Sequence, residues 1–389
     1  MNSILKRLND KAAHSRMPIM AAMELLPVCN LQCKMCYVRK SMAQVQAGGG
    51  LKNANWWLSL AREPRDAGLL SPLLTGGEPL LHPQFREILT GMQELGLQVS
   101  INSNGTLVDR DWAQWLGAHR PTRINITLYG ASTESYERLC GNGAAYDRLR
   151  CGLELLKQAQ VPVKFNTSIT PENVGDLEQI IAFAKDYGAP LQTATYMFPP
   201  LRRDGTMVGR NERLTPEQAA LARVTADFHQ SEPQWFVAQA MRYRRFVPLD
   251  QLKHANDHGI KMKMTCRAGL SSFWIDWQGN MMNCGMYGSA QVKLDGRDFR
   301  TAWQELVEQT AQLRFAPDCA VCPNRMLCHP CVAMIYNECG TADGRPDYIC
   351  RMQQTQAELY WRFAQKHYSE LIPTVDSTAG EEVLDDCGF

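Results

Sequence analysis

From Ala21 to Met197, short apolar runs alternate with stretches of helical period. The runs are AAMELL, LLSPLLTG, LQVSINSN, RINITLYG, VPVKFNTSIT and PLQTATYM. They are rich in β-formers and mostly too apolar for strands with one wet face, which is the pattern of parallel strands buried on both sides. FREILTGMQELG and AAYDRLRCGLELLKQA carry apolar residues three and four apart, as amphipathic helices do. TPENVGDLEQIIAFAKDYG opens on Thr170 and Pro171, suited to a helix start, and closes on Gly188, suited to its end. Strand–helix alternation predicts right-handed βαβ units. Six units in about 180 residues fall short of the ~250 that a complete eight-unit barrel takes. The expected class is α/β, a partial (β/α)6 barrel of TIM type or an open six-stranded sheet.

The unusual residues follow the strands. CNLQCKMC comes after the first, GGEP (Gly76–Pro79) ends the second, and NSNG (Asn102–Gly105) ends the third. Thr127 and Tyr129 end the fourth, Asn166 lies in the fifth, and FPPLRRDG follows the sixth. Parallel α/β folds build their sites at the carboxyl ends of strands, so these signals converge on one rim.

Beyond this, residues 206–265 read as a charged helical connector, and RYRRF (Arg242–Phe246) within it reads as a solvated face. Between Cys266 and Cys350 helical periodicity is weak and Cys, Gly and Pro are frequent, so this segment is expected to have little core of its own and to fold around metal. A last helix and a small acidic tail, STAGEEVLDDCGF, end the chain. The tail is expected to be disordered. The expected units are 1–205, 206–265, 266–352 and 353–389.

Charge excludes more than it suggests. Lys and Arg number 41 against 40 Asp and Glu, which argues against nucleic acid and membrane surfaces as partners. No run approaches the ~18–20 apolar residues of a membrane span, and the N-terminus lacks the apolar core of a signal peptide. A cytoplasmic protein is expected. Fourteen cysteines then need a use other than disulfides, and clustered thiols in a reducing compartment point to metal. Cys140 and Cys151 read as small core residues, Cys387 as incidental, and His329 as loop packing.

Cys29, Cys33 and Cys36 stand in C-x3-C-x2-C spacing. Three thiolates can hold three irons of a cubane cluster and leave the fourth open, whereas ferredoxin cubanes take four cysteines. An open position marks catalytic metal more often than structural metal. A zinc site or free core cysteines are the blander readings. The motif, with TGGEPLL after the next strand, resembles the radical S-adenosylmethionine (radical SAM) superfamily. The resemblance implies that Cys29, Cys33 and Cys36 hold a 4Fe–4S cluster. Its open iron would bind S-adenosylmethionine, whose reductive cleavage yields a 5′-deoxyadenosyl radical. It further implies that Gly76, Gly77 and Glu78 hold the methionine amino group, and that Asn104 and Thr127 meet the ribose and carboxylate. Met35 would face the adenine through its backbone. The family usually carries an aromatic residue at that position, and here a thioether contact would replace stacking.

The later cysteines resemble the SPASM extension of these enzymes, which holds two auxiliary 4Fe–4S clusters. Cys266, a glycine (Gly279) and Cys284 are followed by Cys319-x2-Cys322-x5-Cys328-x2-Cys331 and then Cys350. The family's last spacing in the central run is three rather than two, so Cys331 departs from the pattern. A pair of zinc ribbons is the structural alternative. The resemblance implies that Cys319, Cys322, Cys328 and Cys350 hold the outer cluster, and that Cys266, Cys284 and Cys331 hold the nearer one. Either Cys339 completes the nearer set, or one iron is open to a substrate donor, the reading favoured here.

Enzymes of this type often crosslink or oxidise ribosomally made peptides, and that is the expected function. It implies a peptide substrate, thioether or carbon–carbon crosslinking or oxidation, and an electron donor such as flavodoxin or ferredoxin. Only 28 residues precede Cys29, so a leader-binding domain would be a separate protein. Sulfatase maturases carry an aspartate base after the second extension cysteine, where this chain has Gly285. A carbohydrate or small-molecule dehydrogenase or epimerase is the alternative, and a non-catalytic iron–sulfur protein is a further one. No catalytic base is legible.

Overall fold

The computed structural model describes residues 3–252, 266–314, 316–329 and 331–373. All six apolar runs form strands: β1 (Met20–Glu24), β2 (Ser71–Thr75), β3 (Ser100–Ser103), β4 (Arg123–Leu128), β5 (Val163–Ser168) and β6 (Leu191–Ala194). Each pairs in parallel with its neighbour in sequence. Helices fill the connections, among them Ala54–Asp66, Phe85–Glu94, Arg110–Ala118, Ala145–Gln158 and Leu177–Tyr187. Their apolar stripes, such as Phe85, Ile88, Leu89 and Met92, are buried in one core with Met23, Leu74, Ile101, Ile126 and Phe165 of the strands. This is the six-stranded partial barrel expected from the pattern.

The sheet does not stop at β6. β7 (Ser272–Ile275) lies parallel to β1 on its free side, and β8 (Asn280–Cys284) and β9 (Tyr287–Lys293) continue as an antiparallel meander. The order is β6-β5-β4-β3-β2-β1-β7-β8-β9. The Cys-rich segment thus contributes three strands to the barrel sheet. It also has more core than its composition suggests. Helix Phe299–Ala311 buries Phe299, Ala302, Trp303 and Leu306, and Phe273 of β7 meets both Phe299 and Trp303. That spacing is helical and was legible, but the flanking Cys and Gly residues obscured it.

Two other expectations need correction. The segment from Thr170 does not start a helix. The Thr170 N–H donates to Asn173 Oδ1 at 2.8 Å, and Asn173 Nδ2 donates to the carbonyls of Tyr129 and Ser168. These bonds tie the segment to the ends of β4 and β5, and the helix begins at Leu177. Its end at Gly188, with φ 81°, falls where expected. Cys151 is exposed rather than a core residue, while Cys140 is fully buried.

The connector forms helices Pro216–Gln230 and Pro233–Tyr243, which share an aromatic core with the last helix, Asp347–His367. Tyr243 stacks on Tyr360 at 4.9 Å. The arginine run is more engaged than a solvated face. Arg242 donates to the Met326 carbonyl at 2.7 Å, and Arg244 lies over the Trp361 ring. Among the described residues no helix is long and apolar enough to cross a membrane. Residues 253–265 of the connector and the acidic tail with Cys387 lie outside the described residues.

Candidate cofactor and metal centre

The loop after β1 is clamped from three sides. On the first, the Gly77 and Glu78 N–H groups donate to the carbonyls of Leu26 and Val28, at 2.7 and 2.9 Å. The two glycines allow this approach: a Cβ on either would lie 2.2 Å from a carbonyl oxygen, Leu26 for Gly76 and Val28 for Gly77. What the glycines admit in this structure is therefore the cysteine loop itself. Gly76 also holds φ +145°, a region L side chains rarely adopt.

On the second side stands the turn after β3. The Asn104 amide Nδ2 donates to Asn30 Oδ1 at 2.9 Å and lies 3.7 Å from Cys29 Sγ. Its Oδ1 accepts from the Thr106 N–H and hydroxyl. On the third side, the end of helix Thr133–Cys140 accepts the Gln32 and Lys34 N–H groups on the carbonyls of Cys140 and Leu139. Cys29, Cys33 and Cys36 are brought together inside this clamp. Met35, half-buried, packs on the core beside them.

Glu78 is fully buried, and its carboxylate accepts from Leu80 N–H, Ser103 Oγ and Asn104 N–H. It joins the ends of β2 and β3. Burial pushes its carboxyl up to about 7, and the three donors only partly oppose this. Thr127 stands opposite Asn166 in register, two residues from Asn125 on the same face. Asn125 donates to Asn102 at 2.8 Å. The Oδ1 atoms of Asn125 and Asn166 are buried without a donor. Orphaned acceptors on the inner face suit a polar ligand bearing N–H or O–H groups.

The thiols also fit metal. Burial pushes Cys29 up to about 12 and raises Cys36. Buried thiols form thiolates only when a positive charge compensates them, as bound iron would. Cys33 is shifted down, chiefly by a hydrogen bond with Cys140.

The later cysteines come from separate elements. Cys284 ends β8, Cys331 precedes helix Val332–Cys339, and Cys350 lies in the first turn of Asp347–His367. Cys319, Cys322, Cys328, Cys331 and Cys350 line a cavity of about 40 Å³. After burial, the charges that raise Cys319 are those of Cys350, Cys322 and Asp318. Cys284 instead responds to Cys331 and Cys266, and Cys331 to Cys266. Cys331 therefore lines the cavity of the Cys319 set and lies in electrostatic range of the Cys284 set. Burial pushes Cys339 up to about 11, and the charges of Glu338, Asp347 and Cys350 add to it. Among the described residues no three His, Cys, Asp or Glu side chains close on a single metal ion.

Between the two regions sits a polar group that sequence reasoning missed. Glu24 on β1 is buried and accepts Arg202 on both oxygens, at 2.6 and 2.8 Å, and Trp274 Nε1 at 2.7 Å. Arg202 also donates to the Gly285 carbonyl. Tyr37 is partly buried, within electrostatic range of Glu24, Arg202, Cys36 and Cys284, and so lies between the two cysteine regions. A Cβ on Gly285 would lie 2.7 Å from the Trp274 ring. The position that carries an aspartate in sulfatase maturases therefore has no room for one here. A lone glutamate inside the apolar run AAMELL was the available signal for Glu24.

Residues 23–184 match the model of the radical SAM superfamily. That match spans the end of β1, the first cysteine loop and β2 to β5, so residues 23–184 form a radical SAM domain. The AdoMet-dependent heme synthase of Methanosarcina barkeri is 25% identical over 343 residues, covering 84% of this chain and 95% of the relative. A probable GTP 3′,8-cyclase of Saccharolobus islandicus is 30% identical over 172 residues, 42% of this chain and 52% of that one. Among solved structures, native anSMEcpe with bound AdoMet superposes with a TM-score of 0.67 at 16% identity, covering 91% of this chain and 98% of that chain. Streptococcus suis SuiB bound to the precursor peptide SuiA gives 0.62 at 16%, covering 88% and 79%.

Proposed function

We propose that the chain modifies a ribosomally made peptide, by crosslinking or oxidation, with three 4Fe–4S clusters. Cys29, Cys33 and Cys36 would hold the first. Cys319, Cys322, Cys328 and Cys350 would hold the outer auxiliary cluster, and Cys266, Cys284 and Cys331 the nearer one. With S-adenosylmethionine bound, the centre held by Cys29, Cys33 and Cys36 would supply the one-electron chemistry for hydrogen abstraction. The protein's part is to bind, orient and shelter. The Gly76–Glu78 turn, Asn104 and Thr127 border the cofactor space at the strand ends, and Asn125 and Asn166 offer acceptors to it. Tyr37 and the Glu24–Arg202 pair would separate the cofactor from Cys284.

The observation that supports this reading is that Cys319, Cys322, Cys328, Cys331 and Cys350 line one small cavity, apart from the loop of Cys29, Cys33 and Cys36. Cys266, Cys284 and Cys331 would leave one position of the nearer cluster without a cysteine, where a substrate donor would bind. The peptide assignment draws on SuiB and anSMEcpe, structures of the same fold that were solved with peptides bound. A separate leader-binding protein and a small electron donor would be its partners.

A second reading has its own observation. Heme synthases of Methanosarcina barkeri and Nitratidesulfovibrio vulgaris align over 84% and 82% of this chain, so the substrate would be a heme precursor. The test is anaerobic reconstitution to about twelve irons per chain, followed by reductant and S-adenosylmethionine. Peptides whose reading frames adjoin the gene, and separately a porphyrin, are then supplied. A mass change in a peptide supports the proposal. Conversion of the porphyrin alone sinks it and favours the second reading.

A further inference from the structure

Cys140 belongs to neither cysteine group, yet it lies against the first. It closes helix Thr133–Cys140 and is fully buried. Its Sγ stands 3.6 Å from Cys33 Sγ, within reach of a sulfur hydrogen bond. Its position is set by main-chain bonds on either side of Cys33: Gln32 N–H to the Cys140 carbonyl at 2.9 Å, and Lys34 N–H to the Leu139 carbonyl at 3.1 Å. The Tyr129 side chain, just after β4, lies near enough to the same sulfur to favour its thiolate. Tyr129 is itself fixed by its N–H to the Tyr136 hydroxyl and by edge contact with the Tyr136 ring. The other two sulfurs are served differently. Cys36 accepts from the Arg39 N–H at 3.3 Å, and Cys29 from the Leu31 N–H at 3.4 Å with the Asn104 amide at 3.7 Å. Cys33 thus faces two side-chain donors that a substitution can remove without touching the backbone.

We propose that Cys140 and Tyr129 are positioning residues of the first centre. They donate S–H and O–H hydrogen bonds to the Cys33 thiolate and so set the reduction potential of the cluster it holds. The proposal rests on the reading of Cys29, Cys33 and Cys36 as cluster ligands. Donors to a ligating sulfur withdraw charge from the cluster and favour its reduced form. The cluster must take one electron from an external reductant, so removing a donor makes that reduction harder. A hydroxyl is a stronger donor than a thiol, so Tyr129 has the larger effect.

The test uses the full chain, reconstituted anaerobically, as wild type and as Cys140→Ala, Cys140→Ser and Tyr129→Phe. Redox titration is followed by electron paramagnetic resonance, and the first centre is identified by the change of its signal on adding S-adenosylmethionine. Cys140→Ala and Tyr129→Phe are expected to keep their iron and shift the midpoint negative. The reduced-to-oxidised ratio at a fixed potential should fall by about tenfold for Tyr129→Phe, which is 59 mV for one electron, and by less for Cys140→Ala. Cys140→Ser keeps a donor, and a stronger one, so its midpoint should lie at or above that of wild type. Unchanged midpoints in both Cys140→Ala and Tyr129→Phe, with full iron, would overturn the proposal. So would a Cys140→Ser midpoint equal to a shifted Cys140→Ala midpoint, since volume rather than hydrogen bonding would then be at work. A wild type with no signal responsive to S-adenosylmethionine would overturn the ligand reading as well.

Discussion

Cys29, Cys33 and Cys36 lie within one loop, whereas the second group is drawn from separate elements between Cys266 and Cys350. The loop is held by its neighbours: glycine turn, asparagine turn and helix end each contribute hydrogen bonds that need no metal. The second region divides in two. Strands β7 to β9 and helix Phe299–Ala311 are fixed by the sheet and the common core. The pieces bearing Cys319 and Cys328 are helices of five and four residues. Helices that short do not stand alone in water. The first cysteine loop is thus pre-formed by its neighbours, whereas the short helices bearing Cys319 and Cys328 have little local support.

Removing iron should expose that difference most strongly. Amide exchange after chelation should rise by orders of magnitude across 317–328. It should stay near its starting level in 26–40 and 299–311. Equal loss in both regions would break the comparison.

Next comes the Glu24–Arg202 pair that joins the regions. Glu24→Gln leaves a mostly buried guanidinium without its counter-charge and should cost about 3 kcal/mol in denaturant unfolding. Replacing Arg202 by Met as well should recover most of it. No loss in the single variant would mean that water serves Arg202 equally well.

Gly77→Ala probes the clamp. The added Cβ meets the Val28 carbonyl, and backbone must move at a cost of about 2 kcal/mol. The melting temperature should fall, and exchange should rise in 26–40 but not in 317–328.

The smallest effect is in pH. Burial raises the Glu78 carboxyl from 4.5 to about 7. Between these values the folded chain holds a proton that the unfolded chain has released. Stability contributed by this group therefore falls as pH rises from about 4.5 to 7 and is flat above. Melting of the metal-free protein between pH 5 and 8 should drop more for wild type than for Glu78→Gln.

The barrel was legible because parallel strands buried on both faces leave an unmistakable run of apolar residues, and all six runs became strands. The cysteine spacing was equally plain, since sulfur positions are fixed by covalent neighbours in a short loop. The missed features have one cause. Glu24, Arg202, Trp274 and Tyr37 meet only after folding, across as many as 250 positions of sequence. Nothing local to Cys140 announces Cys33, which lies 107 residues away. The helix from Thr170 failed for a related reason: Asn173 had better partners on β4 and β5 than in its own turn.

The central claim is that the loop of Cys29, Cys33 and Cys36 carries radical S-adenosylmethionine chemistry. Its most direct test is 5′-deoxyadenosine release from anaerobically reconstituted protein with S-adenosylmethionine and dithionite, comparing wild type with Cys29→Ala. The account predicts steady nucleoside release by wild type and a fall to background in the variant, with the fold of the barrel retained. Undiminished release by Cys29→Ala would contradict it.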